Sequence, residues 1–209
     1  MLLKYGAKNF FCFKEYVEIS FELNANCPES ISGGEPYTNI MCVKGANGSG
    51  KTNALKILYT IGDIASRSFE YKLDQNLPIK TFFDSEEPTE FYANFQIDSI
   101  EYRYELVTTK NSIVSEKIYR KTKRLSLVIE RENNEFKTLI NDFKDLEIVL
   151  LRSNASFIST AIQYGLSSIK DIFLFLKSIH SNIFLYGLFK YESNLSDISA
   201  VYHKNSSFF

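Results

Sequence analysis

Tryptophan is absent from this sequence of 209 residues, and histidine and cysteine are scarce, with two and three residues respectively. The histidines, His180 and His203, stand in no cluster of ligand-type residues, so a zinc site is not expected. The cysteines, Cys12, Cys27 and Cys42, are odd in number and form no C-x-x-C pair. We therefore expect three reduced thiols in a cytoplasmic protein.

Excess charge and long apolar runs are also missing. The formal net charge is −1, which provides no overall attraction to DNA or to an anionic membrane. The start, MLLKYGAKNFFCF, contains Lys4 and Lys8 and precedes no small-residue cleavage site, so it is not a signal peptide. The apolar stretch DIFLFLKSIHSNIFLYGLF is broken by polar residues before it reaches the ~18 residues that a membrane span needs. It predicts a buried helix, and no membrane partner is expected.

The composition is otherwise that of a globular protein. The hydrophobic fraction is 44% and the charged fraction is 23%, which suits one large domain or a domain with a subdomain. There are 18 phenylalanines and 13 tyrosines, so we expect many ring contacts in the core.

One motif carries specific chemistry. Residues 45–52 read GANGSGKT and fit the phosphate-loop pattern G-x-x-x-x-G-K-[ST]. The preceding TNIMCVKG, residues 38–45, is apolar and predicts a buried strand that leads into the loop. The following residues, about 51–66, have one apolar stripe and predict a helix. This setting favours a true phosphate loop over a glycine-rich turn that never meets a nucleotide.

Each residue type of the loop has a chemical reason. Glycines let the backbone approach phosphate closely, and successive N–H groups at a helix N-terminus form an anion cradle. Lys51 would reach the β- and γ-phosphates, and the Thr52 hydroxyl would bind Mg²⁺. The predicted nucleotide-binding residues are Gly45, Ala46, Asn47, Gly48, Ser49, Gly50, Lys51, Thr52 and Asn53.

The rest of the chain falls into strands first and helices last. Residues 2–11 and 16–23 predict two short strands, and residues 24–38 predict a loop. Four further segments predict an antiparallel meander: 89–97, 100–108, 113–121 and 125–131. From about residue 143 the pattern is helical, with an apolar stripe formed by Ile169, Ile172, Phe173, Leu176 and Ile179.

The loop and the opening strands resemble a known family. The loop has the form G-x-N-G-S-G-K-T with Asn47 at its third position, and a K-N-F-x-x-F segment, Lys8 to Phe13, precedes it. Together they resemble the N-terminal half of ABC-type ATPases of the RecF, SMC and OLD group, and more closely prokaryotic AAA-family ATPases with a RecF-like head. The resemblance covers residues 1–165. It implies an α/β fold, a P-loop NTPase with an ABC-type head, an antiparallel β-subdomain and a helical C-terminal segment.

This resemblance also implies function and organisation. The cofactors would be ATP and Mg²⁺, and the partner would be a second ATPase head in a homodimer or a companion such as a nuclease or toxin, in DNA maintenance or phage defence. A glutamine helps to hold Mg²⁺ in such proteins, and both Gln163 and Gln96 are possible here. We assign residues 1–142 to an ATP-binding core that includes the meander, and residues 143–209 to an incomplete helical segment with a polar tail.

Later motifs of the family are missing. No apolar run after residue 52 ends in Asp-Glu, and the strand-like LEIVLLRS ends in Arg152. The fragment ISGGE, residues 31–35, looks like an ABC signature but precedes the phosphate loop, so we interpret it as a surface turn. We therefore expect a truncated or split ATPase whose catalytic acid lies elsewhere, and no catalytic residue is assigned.

Three alternatives to an ATPase head, and one possible ligand, stay open. A binding module could retain nucleotide without turnover. A small-molecule kinase would have strand–helix alternation after the loop, and a GTPase would have an N-K-x-D motif, which is absent.

The basic stretch KIYRKTKR could contact nucleic acid, or it could be a solvated edge strand or hairpin tip. Its charged members are Lys117, Arg120, Lys121, Lys123 and Arg124.

Overall fold

The computed structural model describes residues 1–184 and 187–188, and its main element is a seven-stranded antiparallel sheet. The sheet order is β2-β1-β3-β4-β5-β6-β7. The strands are β1 Leu2–Lys8, β2 Val17–Ser20, β3 Thr89–Ile97, β4 Ile100–Thr108, β5 Ile113–Lys121, β6 Leu125–Glu132 and β7 Glu135–Leu139. The strand β1 therefore lies between β2 and β3, which brings the start of the chain next to the meander.

The predicted meander is confirmed by β3 to β6. The turn between β3 and β4 consists of Asp98 and Ser99, both with positive φ, 45° and 67°. Two such residues form a type I′ turn, whose twist matches that of the flanking strands. The strand β7 was not predicted, because EFKTL is short and its side chains are only partly buried or exposed.

Helices cover one face of the sheet. They are α2 Lys51–Arg67, α3 Phe157–Gln163 and α4 Lys170–Lys177, whereas the four-residue helix α1 Glu29–Ser32 has no buried residue. Helix α2 packs on β1, β3, α3 and α4, and its predicted stripe is buried apart from Leu58, which is half-buried. The stripe of α4 is confirmed too, since Ile169, Ile172, Phe173 and Leu176 are buried and Ile179 packs against the core. As expected, aromatic rings meet in this core, and Phe95 stacks on Phe175 with centroids 4.3 Å apart.

Three-residue 3-10 turns occur at Ser68–Glu70 and Phe82–Asp84, and a longer 3-10 segment spans Asn141–Ile148. Short strands β8 Ile183–Phe184 and β9 Gly187–Leu188 form a two-stranded ribbon. No helix within the described ranges is long and apolar enough to cross a membrane. The polar tail from residue 191, including His203, lies outside the described residues.

Two predicted strands are wrong. Residues 38–45 form no strand, and Ile40 is 84% exposed. The strand-like LEIVLLRS instead begins in the 3-10 segment and continues as irregular chain, with Leu150 exposed. Both segments are apolar enough for a buried strand, but a strand also needs a neighbouring strand to pair with, and neither segment has one in the described part of the chain. The expected turn in ISGGE is confirmed, because α1 ends there at Gly33 with a φ of 61°.

A buried ionic network joins the meander to the helical segment. Glu116 on β5 and Arg131 on β6 are cross-strand neighbours whose side chains are fully buried, with 3.3 Å between Oε2 and Nη1. Glu116 also accepts hydrogen bonds from the Tyr104 hydroxyl at 2.8 Å, from the Ser156 hydroxyl and from the Phe157 amide at 3.0 Å. The start of α3 is thus fixed to the sheet by a carboxylate.

Arg131 completes the network from the other side. Its guanidinium donates to the carbonyl oxygens of Ala155 and Arg152, each at 2.5 Å, and to the Asn134 side chain at 3.4 Å. These bonds hold the irregular segment before α3 against the sheet.

Candidate nucleotide-binding site

The phosphate loop connects the exposed segment 39–44 to the N-terminus of α2. Gly48 and Gly50 have φ values of 80° and 90°, a left-handed conformation that strains any residue with a Cβ. The first helical bond of α2 runs from the Ala54 amide to the Gly50 carbonyl at 2.9 Å. The amides of Lys51, Thr52 and Asn53 precede that bond and have no partner within the helix, so they are available to an anion.

Lysine 51 is held inside the loop. Its ammonium donates to the carbonyl oxygens of Gly45 at 2.8 Å and Ala46 at 2.7 Å. A Cβ on Gly45 would lie 2.7 Å from the Ser49 hydroxyl, so a larger residue there would require the Ser49 side chain to move. The ammonium and the N-terminus of α2 together place positive charge where a phosphate would bind.

The residues present fit a nucleoside triphosphate with Mg²⁺. Unpaired amides and an ammonium are the donors that phosphate oxygens require. Thr52 is exposed in the first turn of α2, so its hydroxyl is accessible to a metal ion. Asn47 is exposed at the tip of the loop, and Asn53 is half-buried.

A turn near the start of the chain also contacts the loop, and it was not predicted to do so. A Cβ on Gly50 would lie 2.9 Å from the Cys12 sulfur and 3.1 Å from the Phe13 ring. The Asn53 side-chain amide donates to the Cys12 sulfur at 3.2 Å. The K-N-F-x-x-F pattern marked this segment as part of a resemblance, but nothing in the pattern indicates contact with a loop more than thirty residues further on.

The two candidate glutamines differ in position. The Gln96 carbonyl accepts from the Met1 amino group at 2.7 Å, at the end of β1 remote from the phosphate loop. Because β1 is about 20 Å long, Gln96 does not belong to the site. Gln163 is exposed at the end of α3, whose Ser159 bonds to Ser68 just beyond the C-terminus of α2. A role for Gln163 in metal binding stays a prediction.

No catalytic carboxylate is identified. In residues 1–184 and 187–188, no group of three or more histidine, cysteine or acidic side chains could hold a metal ion. Among these residues, no ion pair joins Lys51 to an acidic side chain. His180 is exposed and lies outside any such group.

The basic stretch is largely neutralised by the sheet. Strand β5 is internal, between β4 and β6, so the expectation of an edge strand is wrong, while Lys123 and Arg124 do lie at a hairpin tip. Three members are paired with carboxylates: Lys117 with Glu130 at 2.7 Å, Arg120 with Asp142 at 2.9 Å and Lys121 with Glu101 at 2.5 Å. This pairing leaves little charge for nucleic acid phosphates.

Comparison with known proteins supports the nucleotide site. No curated protein matches the chain. One family model, described as "AAA domain, putative AbiEii toxin, Type IV TA system", matches residues 40–154. This range begins just before the phosphate loop, includes α2 and the meander, and ends shortly before α3. Because the match covers more than half of the 209 residues, the chain belongs to this family of P-loop AAA domains.

Proposed function

We propose that this chain binds Mg-ATP through residues 45–52 and forms the N-terminal part of an ABC-type ATPase. It would hydrolyse ATP only when a C-terminal half or a partner supplies the missing acid. One observation supports the need for an added part: the segment that leads into the phosphate loop is exposed and pairs with no described strand, although its composition is that of a buried strand.

Residues 39–44 have the properties of a strand that could pair with added strands. Ile40, Met41 and Val43 are exposed apolar side chains. In the described part of the chain, the amides and carbonyls of residues 41–44 take part in no backbone hydrogen bond. Such an edge is a template for strand addition. A phosphate loop normally follows a strand within a sheet, so added strands would complete the usual setting of the loop.

The chemistry of the proposed complex divides between this chain and its partner. Lys51, the loop amides and the Thr52 hydroxyl bind the phosphates and the metal. When bound, Mg²⁺ offsets the negative charge on the phosphate oxygens. The carboxylate that orients the attacking water would come from the added part, because no described acidic residue forms an ion pair with Lys51.

The partner would be a second ATPase head or a companion protein such as a nuclease or toxin. The matched family is described by a toxin of a toxin–antitoxin system. That description supports a role in phage defence more than in DNA maintenance, since the basic stretch is paired with carboxylates.

A non-hydrolysing nucleotide-binding module is the second candidate, and it is favoured because no acidic residue in the described part of the chain is ion-paired with Lys51. The two candidates differ in one expectation: adding the partner would produce ATP turnover for the incomplete ATPase and none for the binding module. The small-molecule kinase is disfavoured, since an antiparallel meander follows α2 in place of strand–helix alternation.

The test compares ATP binding and turnover by the intact chain and two variants. Lys51→Ala removes the loop ammonium, and Lys44→Ala removes an exposed ammonium just outside the motif. We expect the unaltered chain and Lys44→Ala to bind ATP in calorimetry, Lys51→Ala to lose at least about tenfold in affinity, and none of the three to turn over ATP. Turnover by the unaltered chain that Lys51→Ala abolishes would overturn the incomplete-site proposal. Equal binding by Lys51→Ala and Lys44→Ala would overturn the assignment of the loop.

A further inference from the structure

The turn formed by residues 9–14 reverses the chain after β1 in a strained conformation. The Phe10 and Phe13 backbones exchange two hydrogen bonds of 2.9 Å. Asn9 and Phe11 have φ values of 54° and 49°. Asparagine tolerates the left-handed region, but a bulky residue such as Phe11 is an outlier there, so surrounding contacts must hold the turn in this form.

Asn9 provides those contacts. Its side chain is buried, and its amide nitrogen donates to the Glu87 carbonyl at 2.7 Å. Its side-chain oxygen accepts from the Phe82 amide at 3.1 Å, and its backbone carbonyl accepts from the Thr89 hydroxyl at 2.9 Å. Asn9 therefore fixes the turn to the segment that precedes β3.

The far side of the same turn packs against the start of α2. The Cys12 sulfur and the Phe13 ring face Gly50 so closely that a Cβ there would overlap them, and Asn53 donates to the sulfur. The segment on the other side of the loop, residues 39–44, pairs with no strand among residues 1–184 and 187–188. The turn thus supports the loop on one side, while the segment on the other side has no strand partner in the described part of the chain.

We propose that Asn9 is a positioning residue for the nucleotide: it holds the turn of residues 9–14 against Gly50 and Asn53, and so holds the phosphate loop in its binding conformation. This proposal rests on the proposed function, because Asn9 can position a nucleotide only if the loop binds ATP. Asn9 itself touches no part of the loop, so its effect passes through Cys12 and Phe13.

The test uses Asn9→Ala with a matched control. Asn154 is also a buried asparagine, and its amide donates to the carbonyls of Lys72 at 2.7 Å and Gln75 at 3.0 Å, beyond the opposite end of α2. Asn154→Ala therefore removes similar bonds remote from the loop. Asn9→Gly permits the positive φ but lacks the amide, which separates the side-chain bonds from the backbone conformation.

Two readouts are measured at a temperature where every variant is folded. The first is the dissociation constant for ATP. The second is the rate at which Cys12 reacts with a disulfide reagent, with Cys27 and Cys42 of the same chain as internal references. We expect Asn9→Ala and Asn9→Gly to weaken ATP binding by roughly fivefold or more. They should also change the reaction rate of Cys12 alone, because Cys12 is open to the reagent but its sulfur accepts the hydrogen bond from Asn53 only while the turn is held in place. Asn154→Ala should lower the melting temperature and change neither readout.

Two results would overturn the proposal: unchanged ATP affinity and Cys12 rate in both Asn9 variants, or an equal loss of affinity in Asn154→Ala. Failure of the unaltered chain to bind ATP would instead overturn the proposed function, and the role of Asn9 in binding with it. The Cys12 rates are measured without nucleotide, so they distinguish a failed site from a failed support.

Discussion

Replacing Glu116 with glutamine should destabilise the protein strongly. The substitution keeps the shape of the side chain and removes its charge. Arg131 would then be a fully buried guanidinium without a counter-charge, since its remaining partners are carbonyl and amide oxygens. Burial already lowers the pKa of Arg131, and Glu116 opposes that effect by favouring the charged form.

The magnitude follows from the complete burial of both groups. Breaking a buried ion pair by removing one partner costs about 3–5 kcal/mol. For a chain of this size, each kcal/mol lowers the melting temperature by roughly 2–4 °C, so the expected fall is roughly 6–20 °C. The effect should reach the helical segment as well, because Glu116 also bonds to Ser156 and Phe157 at the start of α3.

Thermal unfolding followed by circular dichroism, with urea unfolding at 25 °C, measures the effect. The control is Glu135→Gln, which removes the charge from an exposed pair with Lys137, 2.6 Å apart, and should leave the melting temperature unchanged. A double variant, Glu116→Gln with Arg131→Met, removes both charges and should recover much of the loss. A loss below about 1 kcal/mol in Glu116→Gln would refute the reasoning, since it would mean that water reaches Arg131.

Three further outcomes are expected. Gly6→Ala should cost about 1–3 kcal/mol in urea unfolding, because its Cβ would lie 2.4 Å from the Val17 carbonyl oxygen; unchanged stability would mean that β1 and β2 separate easily. Burial raises the pKa of Tyr5 from 10.0 to about 12, so its contribution to stability is complete below pH 10 and is lost as the pH rises through 12. Between pH 10 and pH 12, the unfolding free energy of Tyr5→Phe should therefore fall by roughly 2 kcal/mol less than that of the unaltered chain. Equal falls in the two proteins would contradict the burial of Tyr5. Reversing the charges of Lys123 and Arg124 should leave DNA binding in a gel-shift assay unchanged, whereas a clear loss would restore the nucleic-acid hypothesis.

Local patterns predicted the parts of the fold that depend on local chemistry. The strands of the meander alternate clearly, and their turns contain residues such as Asp98 that tolerate positive φ, so their bounds came out within a residue. Helix α2 was predicted because its apolar stripe has helical spacing and glycines precede it. Residues 38–45 were predicted wrongly, because the same apolar pattern serves a strand only when another strand is present to pair with it.

The candidate site likewise has one part that a local sequence pattern predicts and another part that it does not. The phosphate loop is contiguous, so its pattern is visible in eight residues. The support from Asn9, Cys12 and Phe13 depends on β1 lying beside β3, which no local pattern reveals. The pairing of Glu116 with Arg131 was hidden for a related reason, since charged residues in a strand usually indicate a solvated face.

The exposed approach to the phosphate loop has a consequence for limited proteolysis. Lys44 is exposed, in a segment whose backbone pairs with no other described residue, so trypsin should cut there early. The two fragments would nevertheless stay together, because β1 remains hydrogen-bonded to β3 across the cut. A nicked protein of native size that separates into two bands only under denaturing conditions is therefore the expected product. Protection of the peptide bond after Lys44 from trypsin would then show directly that a partner covers the segment.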